Sequence, residues 1–569
     1  MKILDVIKSR IRNGVNRMAE GVGAFKKDVF ELDGVPAFRE YYTLFIFAWQ
    51  AVYKGFYKAW HEVPMKTLND PKGKKRTMAT MNAGKIACSQ MARYVWNERC
   101  TITASSAAHD PESKEPDPLN EFLQSVLCEN HFGTAFGDLL EKSLALGGGA
   151  LKEWVEIPKD ENGNDTGEGK IRISYHMAPQ FVPTTWDNSK VKSAIFLSRE
   201  AKDGYYYTVV EWHKWDGDTY RVTNDLYRMP IKETEEPQNI LGWWYPLNEI
   251  YPLLSPDTII EDAKAAYFQY VRPFGANFAD DNSPLGMSIF APAMNTLHSI
   301  DIMFDSLQRE FVLGKKRIIA PARAMHSAVI NNGGTPQKYF DADDEVWEAL
   351  ATDNPEDLKI YDNSVELRVE PHIAGINGEL SILCSQIGFD PGTLAFDQQQ
   401  GMKTATEVIS ENSKTFGTVQ AHENNARDAL CGMVDAIFDL AVKYNLTWEG
   451  RPVAQLLAGG YSVAVKFDDS IIQDKDAEIN KGVMLVGANL MSKKKFMVDT
   501  LGYTPEEADA ELKKAKEEFQ AIDKQISDTE IEIGQLESEI DKTEKDIVIK
   551  QEELVIAEAE YERYKTLFF

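Results

Sequence analysis

Metal-assisted hydrolysis is the first chemistry to look for. HExxH places two imidazoles one helical turn apart with a carboxylate between them. His422-Glu423 opens that pattern, but Ala426 stands where the second histidine must be, so the pair of ligands on one helix face is missing. The acidic run Asp341-Ala342-Asp343-Asp344-Glu345 lacks the glycine and the terminal glutamate of a calcium loop, and Glu161–Gly169 fails the same pattern and reads as a turn. The sequence has no GxxxxGK phosphate-binding loop, no GxGxxG behind a strand and no GxSxG nucleophile elbow. Nine histidines are scattered along the chain and read as surface or packing residues. The aromatic strands could hide a pair of carboxylates beside sugar-stacking rings, as at Glu211 with Trp212 and Trp215, although Trp-rich strands are more often core or interface. No residues assemble by spacing into a catalytic constellation, and neither a cofactor nor a metal is expected.

Two polar segments stand out instead. Phe389–Lys403, FDPGTLAFDQQQGMK, is a 15-residue loop with three consecutive amides, Gln398, Gln399 and Gln400, a glycine pivot at 401 and one cation, Lys403. A block at about 318–370 carries ten acidic residues between Asp341 and Glu366 and reads as a small α/β insertion.

These segments are flanked by strongly periodic sequence. From Leu285 the apolar residues Ile289, Ala293, Leu297, Ile300, Phe304, Leu307 and Phe311 step by three or four, predicting a helix that Pro292 can open and Gly314 ends. A second helix is predicted at about His372–Gly388. Thr404-Ala-Thr-Glu407 forms a capping box that launches a long helix, in which Gly417 and Gly432 are candidate bends. Upstream, Phe38–His61 places Tyr42, Phe45, Trp49, Tyr53, Phe56 and Trp60 at helical spacing, which predicts a core or subunit-interface stripe. A basic turn, Pro71–Arg76, a helix over Met78–Glu98 and a single helix from about Leu119 to Leu146 follow. Residues 150–230 alternate as a strand-rich block, predicted as one antiparallel sheet of several strands with hairpin signals at Glu161–Gly169 and Asp216-Gly217. At the C-terminus seven heptads set Phe519, Ile526, Ile533, Ile540, Ile547, Leu554 and Tyr561 at position a, all apolar, over a half-polar d column. That pattern predicts an imperfect coiled-coil seam.

With 569 residues the chain has room for three or four domains. Its 62 Lys and Arg against 89 Asp and Glu give a net charge of −27, which excludes a protein that grips nucleic acid tightly, because tight grip needs cations that displace counterions. The first thirty residues are locally basic and read as a solvated arm. Five cysteines, odd in number and without a CxxC pair, suggest neither a zinc site nor a disulfide framework. The N-terminus lacks the apolar core of a secretory signal and the longest apolar stretch, Thr43–Trp49, is far too short to span a bilayer. A soluble chain, intracellular at synthesis and not secreted by a signal peptide, is expected.

Pro284–Pro321 (PLGMSIFAPAMNTLHSIDIMFDSLQREFVLGKKRIIAP) and Gly388–Asn412 (GFDPGTLAFDQQQGMKTATEVISEN), together with YKGFYKAWHEVP and KIACSQMARYVWNE nearer the N-terminus, resemble the portal proteins of tailed bacteriophages, especially siphophages of Gram-positive hosts. The resemblance covers about Phe38 to Lys516. It implies an α+β portal fold: an N-terminal arm (1–37), a mixed α/β wing (38–284), stem helices at 285–317 and 371–388 around a small α/β clip (318–370), a tunnel loop (389–403), a long bent wing helix and the start of the crown (404–504), and a helical or coiled-coil crown (505–569). It implies a homo-oligomeric ring, of dodecameric type, at one capsid vertex, through which double-stranded DNA passes without sequence preference. By the same resemblance Gln398, Gln399, Gln400 and Lys403 face that DNA, and Asp341, Asp343, Asp344 and Glu345 belong to the clip that docks the terminase large subunit and later the head-completion adaptor. Major capsid and scaffolding proteins are further implied partners. The virion is the implied location, with the host cytoplasm during assembly. An acidic channel wall fits such a role, since walls that repel phosphate do not trap it. A scaffold or tail adaptor shares the coiled-coil tail but not the order helix, acidic insertion, helix, polar loop; a carbohydrate-active virion enzyme is the other alternative.

Overall fold

The computed structural model describes residues 27–67, 70–107, 109, 116–158, 169–231, 238–314, 318–319, 326–328, 337–339, 361–362, 366–395, 413–468 and 475–568. Helices and strands are mixed along the chain. Met1–Ile472 and Gln473–Phe569 form separate compact units.

In the first unit the aromatic stripe does become core. The helix starting at Arg39–Tyr41 runs through a π-helical turn, Tyr42–Ile46, into Phe47–Tyr53. It buries Tyr42 and Trp49, and the Tyr42 hydroxyl donates to the carbonyl of Phe181 while that of Tyr41 donates to Gly286 O at 3.0 Å. Each ring therefore brings its own polar end to a partner in the interior, as burial requires. Residues 71–76, read from their Gly and Lys content as a turn, are extended instead: Asp70–Thr77 pairs antiparallel with Glu62–Thr67. The predicted helix 119–146 is two, Pro118–Glu129 and Phe132–Leu146. His131, at φ 48°, breaks them apart in the left-handed region, a local cost that apolar periodicity does not register.

The strand-rich block divides into two sheets rather than one. Phe268–Val271, Gly149–Glu156 and Lys170–Met177 make a three-stranded sheet. A longer meander, Phe181–Asp187, Lys190–Lys202, Tyr205–Asp216, Thr219–Pro230 and Ile240–Tyr245, is antiparallel throughout, with Lys27–Asp28 on its far edge and Asp257–Ile260 added to Thr219–Pro230. The turn between its second and third strands is Asp203-Gly204, both at positive φ (51° and 79°), the backbone that a two-residue hairpin with right-twisted strands needs. Three aromatics in a row hide the period of two in Ile240–Tyr245, which is nonetheless a strand of this meander.

The two faces of Gly149–Glu156 carry opposite charges into the interior. Lys152 Nζ donates to Glu211 Oε2 at 2.6 Å, His213 Nε2 donates to Glu211 Oε1 at 2.8 Å, and the Tyr220 hydroxyl lies 2.9 Å from His213 Nδ1. Burial works against ionisation of Glu211, yet Lys152 and His213 hold it well below the ordinary carboxylate range. Neighbouring Glu153 is 1 % exposed and neither of its carboxylate oxygens meets a hydrogen-bond partner; burial pushes it up to about 8. His176, buried close by, is held down to about 3 by burial and then by Lys152.

The second unit contains Lys475–Gly487, Lys493–Asp499 and one helix of 64 residues, Pro505–Phe568. Thr504 and Glu507 cap that helix reciprocally: Glu507 N donates to Thr504 Oγ1 at 3.2 Å and Thr504 N to Glu507 Oε2 at 2.9 Å, with Pro505 at the first helical position, where a missing N–H costs nothing.

Candidate functional site

Two helices and the base of one loop define the region that the polar segments depend on. Met294–Leu313 (20 residues) and Val369–Ile387 (19 residues) pack against each other. Thr296 Oγ1 donates to Gln386 Oε1 at 2.8 Å near one end of the pair. At the other end Arg368 donates through Nε and Nη2 to Glu310 at 3.1 and 2.9 Å. The start of one helix thus meets the end of the other, and they run antiparallel over about 30 Å. The Arg368 hydrogen bonds hold Glu310 below the usual carboxylate range.

The first of these helices is tied to the body of the unit by carboxylates one turn apart. Asp301 accepts from His61 Nε2 (3.1 Å), Thr80 Oγ1 (2.8 Å) and Met81 N (2.9 Å). On its other side the His61 ring is held at the Tyr57 backbone, with Nδ1 2.8 Å from Tyr57 N and 3.1 Å from Tyr57 O. Asp305 takes a two-pronged contact from Arg76, at 2.7 and 2.6 Å, and the N–H of Ala79 at 3.1 Å. Burial raises the Asp305 carboxyl, but the Arg76 hydrogen bond and the Ala79 N–H outweigh it and the net direction is down. Spacing i, i+4 puts both acids on one face, so the segment Arg76–Met81 is clamped along the helix. Arg76→Met should lower unfolding free energy by about 2–3 kcal/mol, since it strands a largely buried carboxylate. Asp305→Asn placed in the same chain should recover part of that loss. Denaturant titration of the single and double variants checks it; additive losses would remove the clamp.

The second helix ends at Gly388, whose φ is 88°. A Cβ there would meet Thr418 Oγ1 at 2.5 Å, so glycine is needed both for the turn and for the close approach of the next helix. That helix, Ser413–Lys443, runs 31 residues and contains Gly417 and Gly432 without interruption. Gly432 marks close packing rather than a break, because a Cβ there would press on the Gln269 side chain. Residues 388–390 and 415–418, on either side of the intervening segment, are joined by four hydrogen bonds. Thr418 Oγ1 donates to Gly388 O at 2.9 Å, Asp390 N donates to Thr415 Oγ1 at 2.8 Å, and Asp390 Oδ2 accepts from Thr415 N and Oγ1 at 2.9 and 2.6 Å. Asp390 and Thr415 are both buried, and Phe389 beneath them is fully so. The chain thus leaves and re-enters the fold at one rigid point.

Of the residues singled out by sequence, Gln398, Gln399, Gln400 and Lys403 lie outside the described residues, as do Asp341, Asp343, Asp344 and Glu345 and the capping box at 404–407. The alternative at Glu211 lies within a packed interior: its carboxylate is shared between Lys152 and His213, and Trp212 is buried beneath Lys214 Nζ, 3.6 Å from the ring centre. His422 is likewise a packing residue, held down to about 4 by burial, its Nδ1 accepting from Phe274 N at 3.0 Å. No group of three or more His, Cys, Asp or Glu among the described residues is arranged to hold a metal ion. What sequence reasoning missed is the anchoring set, Arg76, Asp301, Asp305, Asp390 and Thr415. The i, i+4 acids facing into an otherwise apolar helix stripe were the available signal.

One end of the helix pair leads into residues 315–368, and the other into the hydrogen-bonded base and the 31-residue helix behind it. The family model described as phage portal protein, SPP1 Gp6-like, matches residues 46–525. The chain belongs to that portal protein family. No curated protein matches it. Membership implies an oligomeric ring and association with the phage capsid, and no described helix is long and apolar enough to cross a membrane.

Proposed function

We propose that the protein forms the closed ring through which a tailed phage packages, retains and ejects its genome. The observation that carries this reading is the order of elements inside the matched region: antiparallel helices 294–313 and 369–387, the pinned base at 388–390 and 415–418, and the 31-residue helix behind it. In this reading the helix pair is the stem, the insertion between its helices is the clip, residues 389–403 are the tunnel loop, and the aromatic helix with both sheets is the wing. Around a ring, each closed base aims one loop at the axis. Gln398, Gln399, Gln400 and Lys403 then touch duplex DNA through exchangeable contacts to phosphate, which carry no sequence information. The net charge of −27 keeps the wall from holding what it must let pass.

Exposed apolar side chains favour such assembly. Ile302, Phe311, Val312 and Leu313 on the first stem helix and Ile382 on the second are 46–62 % exposed in the isolated chain, a surface that heterologous contacts closing into a ring can cover. Only monomer and dimer under assembly conditions in native mass spectrometry would overturn the proposal.

The acidic clip is the proposed docking surface for the terminase large subunit and the head-completion adaptor. Replacing Asp343, Asp344 and Glu345 by Ser should weaken binding of the packaging motor and flatten its salt dependence, because complementary charges act mainly on encounter. Unchanged affinity at low salt would show that the motor docks elsewhere.

A further inference from the structure

The 64-residue helix Pro505–Phe568 keeps its seam uncovered. Ile526, Ile533, Ile540 and Ile547 are each more than half exposed, as are Phe519 and Leu554. At 1.5 Å per residue the helix is about 96 Å long, and an unpartnered apolar stripe of that length requires a covering surface. Two of the three polar d positions do not prevent burial: Thr529 and Thr543 donate their hydroxyls to Gln525 O (2.6 Å) and Glu539 O (2.8 Å) of their own helix, so they bring no unsatisfied donor into a contact, and the third, Lys550, has a stem long enough to carry its charge out to the flank.

The flanks decide what can cover it. Taking Phe519 as a, five of seven e positions are acidic (Asp523, Glu530, Glu537, Glu544, Glu558), and so are five of seven g positions (Glu532, Glu539, Asp546, Glu553, Glu560). The only cation in either column is Lys565. Of the other cations, Lys550 occupies a d position in the seam itself, whereas Lys545 pairs with Asp541 at 2.7 Å away from it. In a parallel, in-register pair of copies, position g of one faces the following e of the other, so Glu532 meets Glu537, Glu539 meets Glu544 and Glu553 meets Glu558. An antiparallel pair sets e against e and g against g, again acid on acid. Since e and g charges select coiled-coil partners, and like charges act as a repulsive element against the wrong one, a second copy is the poorly matched occupant.

We infer that this seam is a docking site for a different protein, one that presents an amphipathic helix with an apolar a/d stripe flanked by Lys or Arg. The contact is a heteromeric coiled coil in which the ten acidic e and g residues pair with cations of the partner. It does not depend on the channel reading, because both the seam and its flanks belong to the second compact unit.

The test uses the full-length protein and two synthetic helical peptides with the same Ile/Leu seam, one with Lys and one with Glu at every e and g position, titrated by fluorescence anisotropy. The Lys-flanked peptide should bind at least tenfold more tightly than the Glu-flanked one at low salt, and the difference should shrink as salt rises. A full-length variant with Glu532, Glu537, Glu539 and Glu544 all changed to Lys should reverse the preference. These positions are exposed, so the variant keeps its fold, which circular dichroism verifies, and Ile533→Asn with Ile540→Asn should abolish binding of both peptides. Equal affinity for the two peptides, or binding of neither, overturns the inference. So does efficient disulfide formation between copies carrying Ile533→Cys, which would show the seam already occupied by a second copy.

Discussion

A phage whose Gln398, Gln399 and Gln400 are all changed to Glu should assemble normal heads that package or retain little DNA, with titre reduced at least tenfold and further than in the matching Ala variant. The segment that carries these amides leaves and re-enters the described fold at a closed base, where Asp390 and Thr415 exchange three hydrogen bonds and Thr418 reaches back to Gly388. Because the base is buried and rigid, substitutions at 398–400 alter what the loop presents without loosening how it is held. On the proposed function, amides at 398–400 donate to phosphate and let go, whereas carboxylates at the same positions repel it. Ala removes the contact and Glu reverses its sign, so Glu is the worse of the two. Genome length measured on purified particles and plaque titre check the result. Normal values in both variants would take the loop out of the mechanism.

The second large effect is on stability and comes from Glu153. Its carboxyl is buried without a hydrogen-bond partner and is pushed up from 4.5 to about 8 by burial. The folded chain therefore holds this proton over a range where the unfolded chain has released it, and stability falls as pH rises through that window, by about 1.4 kcal/mol per pH unit. His176 acts with the opposite sign. It stays neutral in the fold down to about 3, against 6.5 ordinarily, so its contribution is complete above 6.5 and is lost as pH falls below it. His422, held down to about 4, acts as His176 does, so below 6.5 the histidine slopes oppose that of Glu153 and above 6.5 only that of Glu153 remains. Raising pH from about 6.5 to about 8 should then cost the native chain about 2 kcal/mol, and Glu153→Gln should remove most of that dependence. Denaturant midpoints measured against pH decide it, and parallel profiles for the two proteins would contradict the burial argument.

Much of this architecture could be read from residue patterns, for identifiable reasons. Helices 294–313, 369–387 and 505–568 follow from apolar residues stepping by three or four, and the strands at 190–202, 205–216 and 219–230 from alternation between turn signals. The readings at 71–76 and 119–146 failed where local chemistry was overruled. Lys- and Gly-rich sequence became a strand because Glu62–Thr67 supplies its ladder, and His131 accepted positive φ between two helices that pack separately. The division of the strands into two sheets depends on long-range pairing, Phe268–Val271 with Gly149–Glu156, which no local window contains. At the candidate site, composition marked the polar loop and the acidic insertion, whereas the Arg76–Asp305, His61–Asp301 and Asp390–Thr415 contacts that anchor their surroundings join residues 229, 240 and 25 apart. Single-residue patterns cannot announce such pairs, although two acids on the inward face of a helix hint that partners must exist.

The central claim is that copies of this chain close into a ring around a channel wide enough for duplex DNA. Negative-stain electron microscopy of the purified, assembled protein tests it most directly. The account predicts end-on views of closed rings, of one dominant subunit number, with an open axial channel; particles without a central opening, or open filaments in place of rings, would contradict it.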